Sequence, residues 1–207
     1  MKRRARHVWF FSFPGSEMLD LSGPWAVLGY ANEVMGREAY TSHLIAPLGR
    51  EIPTRHGLVL RGARSLGDVA DISAPDMVVV AGGATASKLP PSEARVVRWL
   101  RQRHRSIPTL VSICTGAFVL GEVGLLNGRR ATTHWRYVDA LRRRFPKARV
   151  VDDDIFLRDG RVWTSAGITA GIDLMLALVE EDHGHAVAMA VAKALVLFLR
   201  RSGRQAQ

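Results

Sequence analysis

The sequence predicts an α/β domain with a mostly parallel central sheet flanked by helices, a nucleophile elbow and a small β-hairpin. Three observations predict it. Short β-branched runs alternate with helical patterns along the chain, the order that parallel strands and their crossover helices leave in a sequence. Residues 77–81 (MVVVA) form a continuous apolar run and 109–113 (TLVSI) a nearly continuous one, as suits strands covered on both faces. The 207 residues, 47% of them hydrophobic, are enough to build one sizeable core.

Residues 7–13 read as the first strand, stopped by Pro14-Gly15. A helix over 21–35 follows, with Trp25, Val27, Leu28, Ala31 and Val34 at helical spacing and Gly36 as its C-cap. Residues 43–46 and 58–61 read as short strands, and 77–81 as a central strand ended by Gly82-Gly83. Pro90-Pro91-Ser92 starts a helix through His104, with Val96, Val97, Trp99 and Leu100 turned inward. That helix returns the chain to the second central strand at 109–113. A helix over 115–123 stops at Gly124, Asn127-Gly128 marks a turn, 130–133 is a short strand, and a helix over 135–144 is closed by Pro146. Segments 155–157 and 161–164 flank Asp159-Gly160, the strongest short hairpin signal in the chain. Helices over 170–182 and 186–200, joined at His183-Gly184-His185, end the fold. No repeat or internal linker interrupts it, so residues 1–207 are expected to form a single domain.

One cysteine rules out an intramolecular disulfide and a paired zinc site, and points to a reducing, cytoplasmic setting. The apolar run after the basic N-terminus lacks a small-residue cleavage site, and no stretch has the length of a membrane span. The formal net charge of +10 raises the question of nucleic acid. The arginines at 3–4, 101–105, 142–144 and 200–201 fall mostly on polar helix faces and ends, without a reading helix or an aromatic RNA motif. Ordinary solvated surface is the first reading, and a phosphate or partner surface the second.

The chemistry centres on Cys114, in Leu110-Val-Ser-Ile-Cys-Thr-Gly-Ala117, between a buried strand and a helix, with Gly116 permitting a sharp turn. Such an elbow exposes its side chain at the carboxyl edge of the sheet. The helix N-terminus behind the sulfur is expected to lower the thiol pKa; the competing reading is a buried cysteine acting as a small hydrophobe. Asp20 lies just beyond the first strand, where a carboxyl group would share a proton with the sulfur; Glu17 competes with it, and helix capping is Asp20's structural alternative. Replacing Asp20 by Asn is expected to raise the thiol pKa or slow its reaction. Gly82 and Gly83 end the neighbouring strand and offer backbone amides beside Thr115 N–H as oxyanion donors. His134 ends a further strand as a base or orienter, or as a structural histidine. His183 and His185 have no third ligand in the pattern, and neither a metal nor a cofactor is expected.

The elbow, the glycine pair, residues 121–135 with their ATTHW end, and the run 163–173 (WTSAGITAGID) together resemble the ThiJ/PfpI superfamily, over essentially the whole chain. Within it they look like the N-terminal domain of AraC-type transcriptional regulators. The resemblance implies a flavodoxin-like, amidotransferase-like sandwich, with Cys114 as the reactive cysteine, Asp20 as its acidic partner, and Gly83 and Thr115 as amide donors. It also implies a small-molecule ligand, a homodimer, and DNA contacted through a helix-turn-helix domain that this sequence does not contain. A shortened relative or a stand-alone enzyme is the alternative, since isonitrile hydratases share the aspartate, the Cys-Thr elbow and an ATTHW-like segment. A redox-sensing thiol is a third reading. Glutamine amidotransferase chemistry is not expected, because no glutamate follows His134 at the spacing of that class.

Overall fold

Side chains alternate along a strand, and β1 (Arg6–Phe11) uses both of its faces. Val8 and Phe10 enter one apolar cluster while Trp9 and Phe11 enter another, so the sheet is covered on both sides. The computed structural model describes residues 4–70, 72–83, 91–198, 200–205 and 207. α1 (Met18–Met35) ends at Gly36, whose left-handed φ of 60° closes the last turn as expected. β2 (Tyr40–Ala46) returns parallel to β1. A small antiparallel hairpin, β3 (Ile52–Pro53) with β4 (Val59–Leu60), and a short edge strand, β5 (Arg64–Ser65), follow.

β6 (Met77–Val80) and β7 (Thr109–Ile113) are the expected central strands, and all nine of their residues are buried. α2 (Pro91–Arg103) joins them; the expected start at Pro90 lies outside the described residues. α3 (Gly116–Val123) stops at Gly124, again left-handed. β8 (Arg130–Ala131) is shorter than the expected strand and pairs with β9 (Arg149–Val150) outside the main sheet. The reason lies in Thr132 and Thr133, whose groups bond to Thr164 Oγ1 and to the Asp154 and Cys114 carbonyls. The helix expected over 135–144 is a 3₁₀ turn, Trp135–Tyr137, leading into α4 (Val138–Arg144). β10 (Phe156–Asp159) and β11 (Val162–Ser165) form the expected hairpin, and α5 (Ala170–His183) and α6 (His185–Ala194) follow.

The main sheet runs β10-β11-β7-β6-β1-β2-β5, parallel except for β10 against β11. α1, α5 and α6 cover one face; α2, α3 and α4 cover the other. α1 and α5 approach closely because both carry glycine there: a Cβ on Gly23 would lie 2.8 Å from Ile172. α6 ends at Ala194, six residues before its expected end, and Val196 takes a left-handed φ of 55°. The chain turns there so that the Arg201 side chain can reach Asp173, at 2.6 Å, and Thr169, at 2.8 Å.

Candidate functional site

The order of the sheet brings four strand ends together. β11, β7, β6 and β1 are successive neighbours, and their carboxyl ends lead into Ile168, Cys114, Gly82-Gly83 and Asp20. The chain leaves β1 toward β2 on one side and leaves β6 toward β7 on the other. This reversal opens the crevice where α/β sheets place ligands.

Cys114 sits at φ 54°, a left-handed backbone that costs a non-glycine residue roughly 1–2 kcal/mol. The neighbours hold it there. Its N–H donates to the Ser165 carbonyl at 3.0 Å, and its own carbonyl accepts from Thr133 Oγ1 at 2.8 Å. Gly116 is required because a Cβ at that position would lie 2.2 Å from the Val80 carbonyl oxygen. Gly167 is required twice over: its φ is +91°, and a Cβ would lie 2.2 Å from that of Cys114. Ile168, beside it, is also left-handed at φ 51°. The elbow is therefore built as expected, but its sulfur is not exposed; Cys114 is 7% accessible.

Asp20 is fully buried in the first turn of α1 and does not cap that helix, whose N-cap residue is Glu17. Its Oδ2 accepts from Gly82 N–H at 3.1 Å and its Oδ1 from Ile168 N–H at 2.6 Å. One carboxyl group thus joins the turns after β6 and β11 while hydrogen-bonding to the Cys114 sulfur. Burial pushes its pKa up to about 6, opposed by the two amides. Burial, and then the Asp20 charge, push the Cys114 thiol well above its ordinary range, and the Thr115 amide offsets only part of this. The expected lowering of the thiol pKa is overturned. α3 is short, and its N-terminal amide is outweighed by desolvation and an adjacent anion. At neutral pH the pair is a carboxylate accepting from a thiol. The expected effect of Asp20→Asn changes sign accordingly, since removing the anion makes the thiolate easier to form.

The glycine amides are placed beside the sulfur but are not free. Gly82 N–H is bonded to Asp20, and Gly83 N–H donates to Thr115 Oγ1 at 2.8 Å. The hydroxyl of Thr115 donates back to the Gly83 carbonyl, also at 2.8 Å. This corrects the expectation of open glycine amides, because the turn after β6 lies close enough to Asp20 of α1 and to Thr115 at the head of α3 to be bonded to both. Thr115 N–H remains directed at the sulfur.

Cys114 faces a cavity of about 180 Å³. Cys114, Thr115, Gly83 and Ile168 form one part of its lining; Glu17, Arg55, His134 and Arg136 form another. His134 reaches the same cavity as Cys114, but its Nδ1 accepts from Arg136 N–H at 3.3 Å and caps the 3₁₀ turn. Burial, then Arg136 and Arg55, lower its pKa, so the ring is neutral at pH 7. Glu17 pairs with His56 at 3.2 Å. A larger groove of about 500 Å³, between α1 and β2, contains neither Cys114 nor His134. His183 and His185 are remote from the cavity: His185 pairs with Glu180, and His183 lies edge-on to Tyr40. Among the described residues no group of three His, Cys, Asp or Glu is arranged to hold a metal.

Arg55, Arg136 and Ile168 were not singled out from the sequence. Ile168 follows a strand end, the signal that identified the other turns. Arg55 carries no local signal: it reaches the cavity because the β3–β4 hairpin folds over the sheet edge, where its N–H bonds the Ser16 carbonyl at 3.0 Å.

Comparison with known proteins gives this geometry a lineage. Residues 6–181 match the DJ-1/PfpI family. The chain is 35% identical over 194 residues to the HTH-type transcriptional regulator CdhR of Pseudomonas aeruginosa, a match covering 93% of this chain and 55% of the regulator. It is also 35% identical over 178 residues to an isonitrile hydratase of Pseudomonas putida, covering 86% of this chain and 72% of the hydratase. The chain spans about half the length of the regulators it matches, GbdR of Pseudomonas aeruginosa (28% identity, 51% covered) among them. An AraC family transcriptional regulator structure from Pseudomonas putida superposes with a TM-score of 0.79 at 23% identity, covering 92% of this chain and 99% of that one. Drosophila melanogaster DJ-1beta superposes with a TM-score of 0.76 at 23% identity, covering 95% and 100%. Both share the fold, and by its sequence this chain belongs to the DJ-1/PfpI family.

Proposed function

We propose that this chain is the ligand-sensing and dimerisation domain of an AraC-type transcriptional regulator, binding a small anionic metabolite in the Cys114 cavity. One observation carries the reading: the cavity joins a protonated thiol to a wall bearing two arginines, Arg55 and Arg136. Guanidinium groups bind carboxylates bidentately and strongly. A cavity of about 180 Å³ limits the occupant to a small metabolite. Its identity with CdhR and GbdR supports the regulatory role, with residues 1–207 as one ThiJ/PfpI-like domain, a cytoplasmic setting, and DNA read through a further domain. Thermal unfolding and calorimetric titration with a panel of small carboxylates test it. One of them should raise the melting temperature saturably, and Arg55→Ala and Arg136→Ala should each move the midpoint of that rise to at least about tenfold higher concentration. No stabilisation by any member would contradict it.

A second reading is favoured by the hydrogen bond between Asp20 and Cys114 and by the identity with the isonitrile hydratase. The sulfur would attack the isonitrile carbon while Asp20 takes the thiol proton and returns it to that carbon; water would then release the N-formamide and restore the thiol. Steady formamide production abolished by Cys114→Ser would establish this reading over the first.

A further inference from the structure

The arginines of this chain are not all alike. Several arginines elsewhere on the surface meet carboxylates: Arg50 pairs with Asp68, Arg61 with Glu51, Arg130 with Asp154 and Arg158 with Glu181, while others, Arg143 and Arg149 among them, stand singly without a salt bridge among the described residues. On α2 and the 3₁₀ turn after it they stand together. Arg95, Arg98, Arg101, Arg103 and Arg105 are all exposed, and among the described residues none of them makes a salt bridge. Among the described residues the Arg95 and Arg101 side chains bond only to backbone carbonyls, of Pro47 and Glu122. The side chains of Arg98 and Arg105 make no hydrogen bond among the described residues. Arg95, Arg98 and Arg101 lie three residues apart on α2 and span about 9 Å at the helical rise, with Arg103 at its last position and Arg105 on the turn that follows. Burial, then the charges of Arg161 and Arg105, lower the pKa of the adjoining His104.

We infer that α2 is a docking surface for the phosphate backbone of duplex DNA, engaged without regard to sequence. Two features choose duplex DNA among polyanions. Among the described residues the face offers no fully exposed aromatic ring on which single-stranded bases could stack: Trp99, the aromatic residue of α2, is half-buried and packs its ring against Trp9, with centroids 5.3 Å apart, and Phe11, at 5.4 Å. Nor is there an apolar face to enter a lipid interface, because Val96, Val97 and Leu100 are buried in the core. What remains is a cluster of exposed guanidinium groups along α2 and the turn after it, the chemistry that positions proteins on phosphates without reading bases. The inference goes beyond metabolite sensing and does not depend on the Cys114 cavity.

The test is fluorescence anisotropy of the 207-residue chain with two unrelated DNA duplexes as a function of salt. Each neutralised phosphate contributes about 0.9 to the slope of log K against log salt, so three or four arginines give a slope of about −3 for both sequences. The double variant Arg98→Gln/Arg105→Gln removes two groups without structural partners. It should weaken binding at least about tenfold at low salt and reduce the slope by about 2, while Arg50→Gln changes neither. An unchanged slope in the double variant would overturn the inference, as would an equal loss in Arg50→Gln. Tighter binding of single strands than of duplex would overturn it too. So would binding of anionic vesicles or polyglutamate, dependent on the same two arginines, without duplex binding.

Discussion

Replacing Asp20 by Asn should make Cys114 more reactive. In the wild-type protein the sulfur is buried and hydrogen-bonded to a carboxylate, and both push its pKa up. The Asn variant keeps the burial and removes the charge. Two unit charges about 4 Å apart at an effective dielectric of 20 interact by about 4 kcal/mol, or about three pKa units, which sets an upper bound. One unit is a conservative floor. Alkylation follows the thiolate fraction, so at pH 8 the iodoacetamide rate should rise at least about tenfold. The assay is intact-protein mass spectrometry over a series of pH values. Asn presents one acceptor where Asp presents two, and leaving either Gly82 or Ile168 N–H unpaired costs about 1–3 kcal/mol, so folding is verified by circular dichroism. An unchanged or slower rate in the folded variant would refute the placement of the Asp20 charge against the sulfur.

Stability should also respond to pH through this group. The folded pKa of Asp20, about 6, lies above its ordinary 3.8, so its favourable contribution is complete below about pH 4 and lost as pH rises through 6. The stability difference between wild type and Asp20→Asn should shrink across that window by about 2–3 kcal/mol in denaturant titrations; a constant difference would contradict the shift. Gly167→Ala forces a Cβ to 2.2 Å from that of Cys114 at a left-handed backbone, and should cost at least about 2 kcal/mol of stability; an unaltered melting temperature would contradict this packing. Arg201→Ala removes the two guanidinium N–H groups that converge on Asp173 Oδ2, leaving only the backbone N–H of residue 201 on Oδ1, and should cost about 2 kcal/mol, whereas Arg201→Lys should recover part of the loss; equal stability in all three proteins would show that the clamp contributes nothing.

The layers and the elbow were legible in the sequence because they follow from local patterns. The apolar runs of β6 and β7 announce buried strands, and Cys114 before Gly116 announces a tight turn. The charge state of the sulfur was not legible. It depends on how closely the turns after β6 and β11 pack on the thiol, and on which amides reach Asp20 first. Both are products of contacts between residues far apart in the chain: Asp20 and Ile168 are separated by 148 positions. The same holds for Arg55, which the hairpin carries to the cavity, and for the final helix, whose apolar pattern continues past Ala194 although the clamp between Arg201 and Asp173 turns the chain away. Local propensity read the helix as longer, and a tertiary ion pair overrode it.

The binding role of the Cys114 cavity is tested most directly by the alkylation rate of Cys114 in the presence of the carboxylate that raises the melting temperature. The rate should fall hyperbolically with concentration, its midpoint matching that of the calorimetric titration, and Arg55→Ala should move both midpoints upward together by at least about tenfold, the loss of one charge-assisted pair. A carboxylate that stabilises the protein while Cys114 alkylates at its unliganded rate would place the binding site elsewhere and contradict the account.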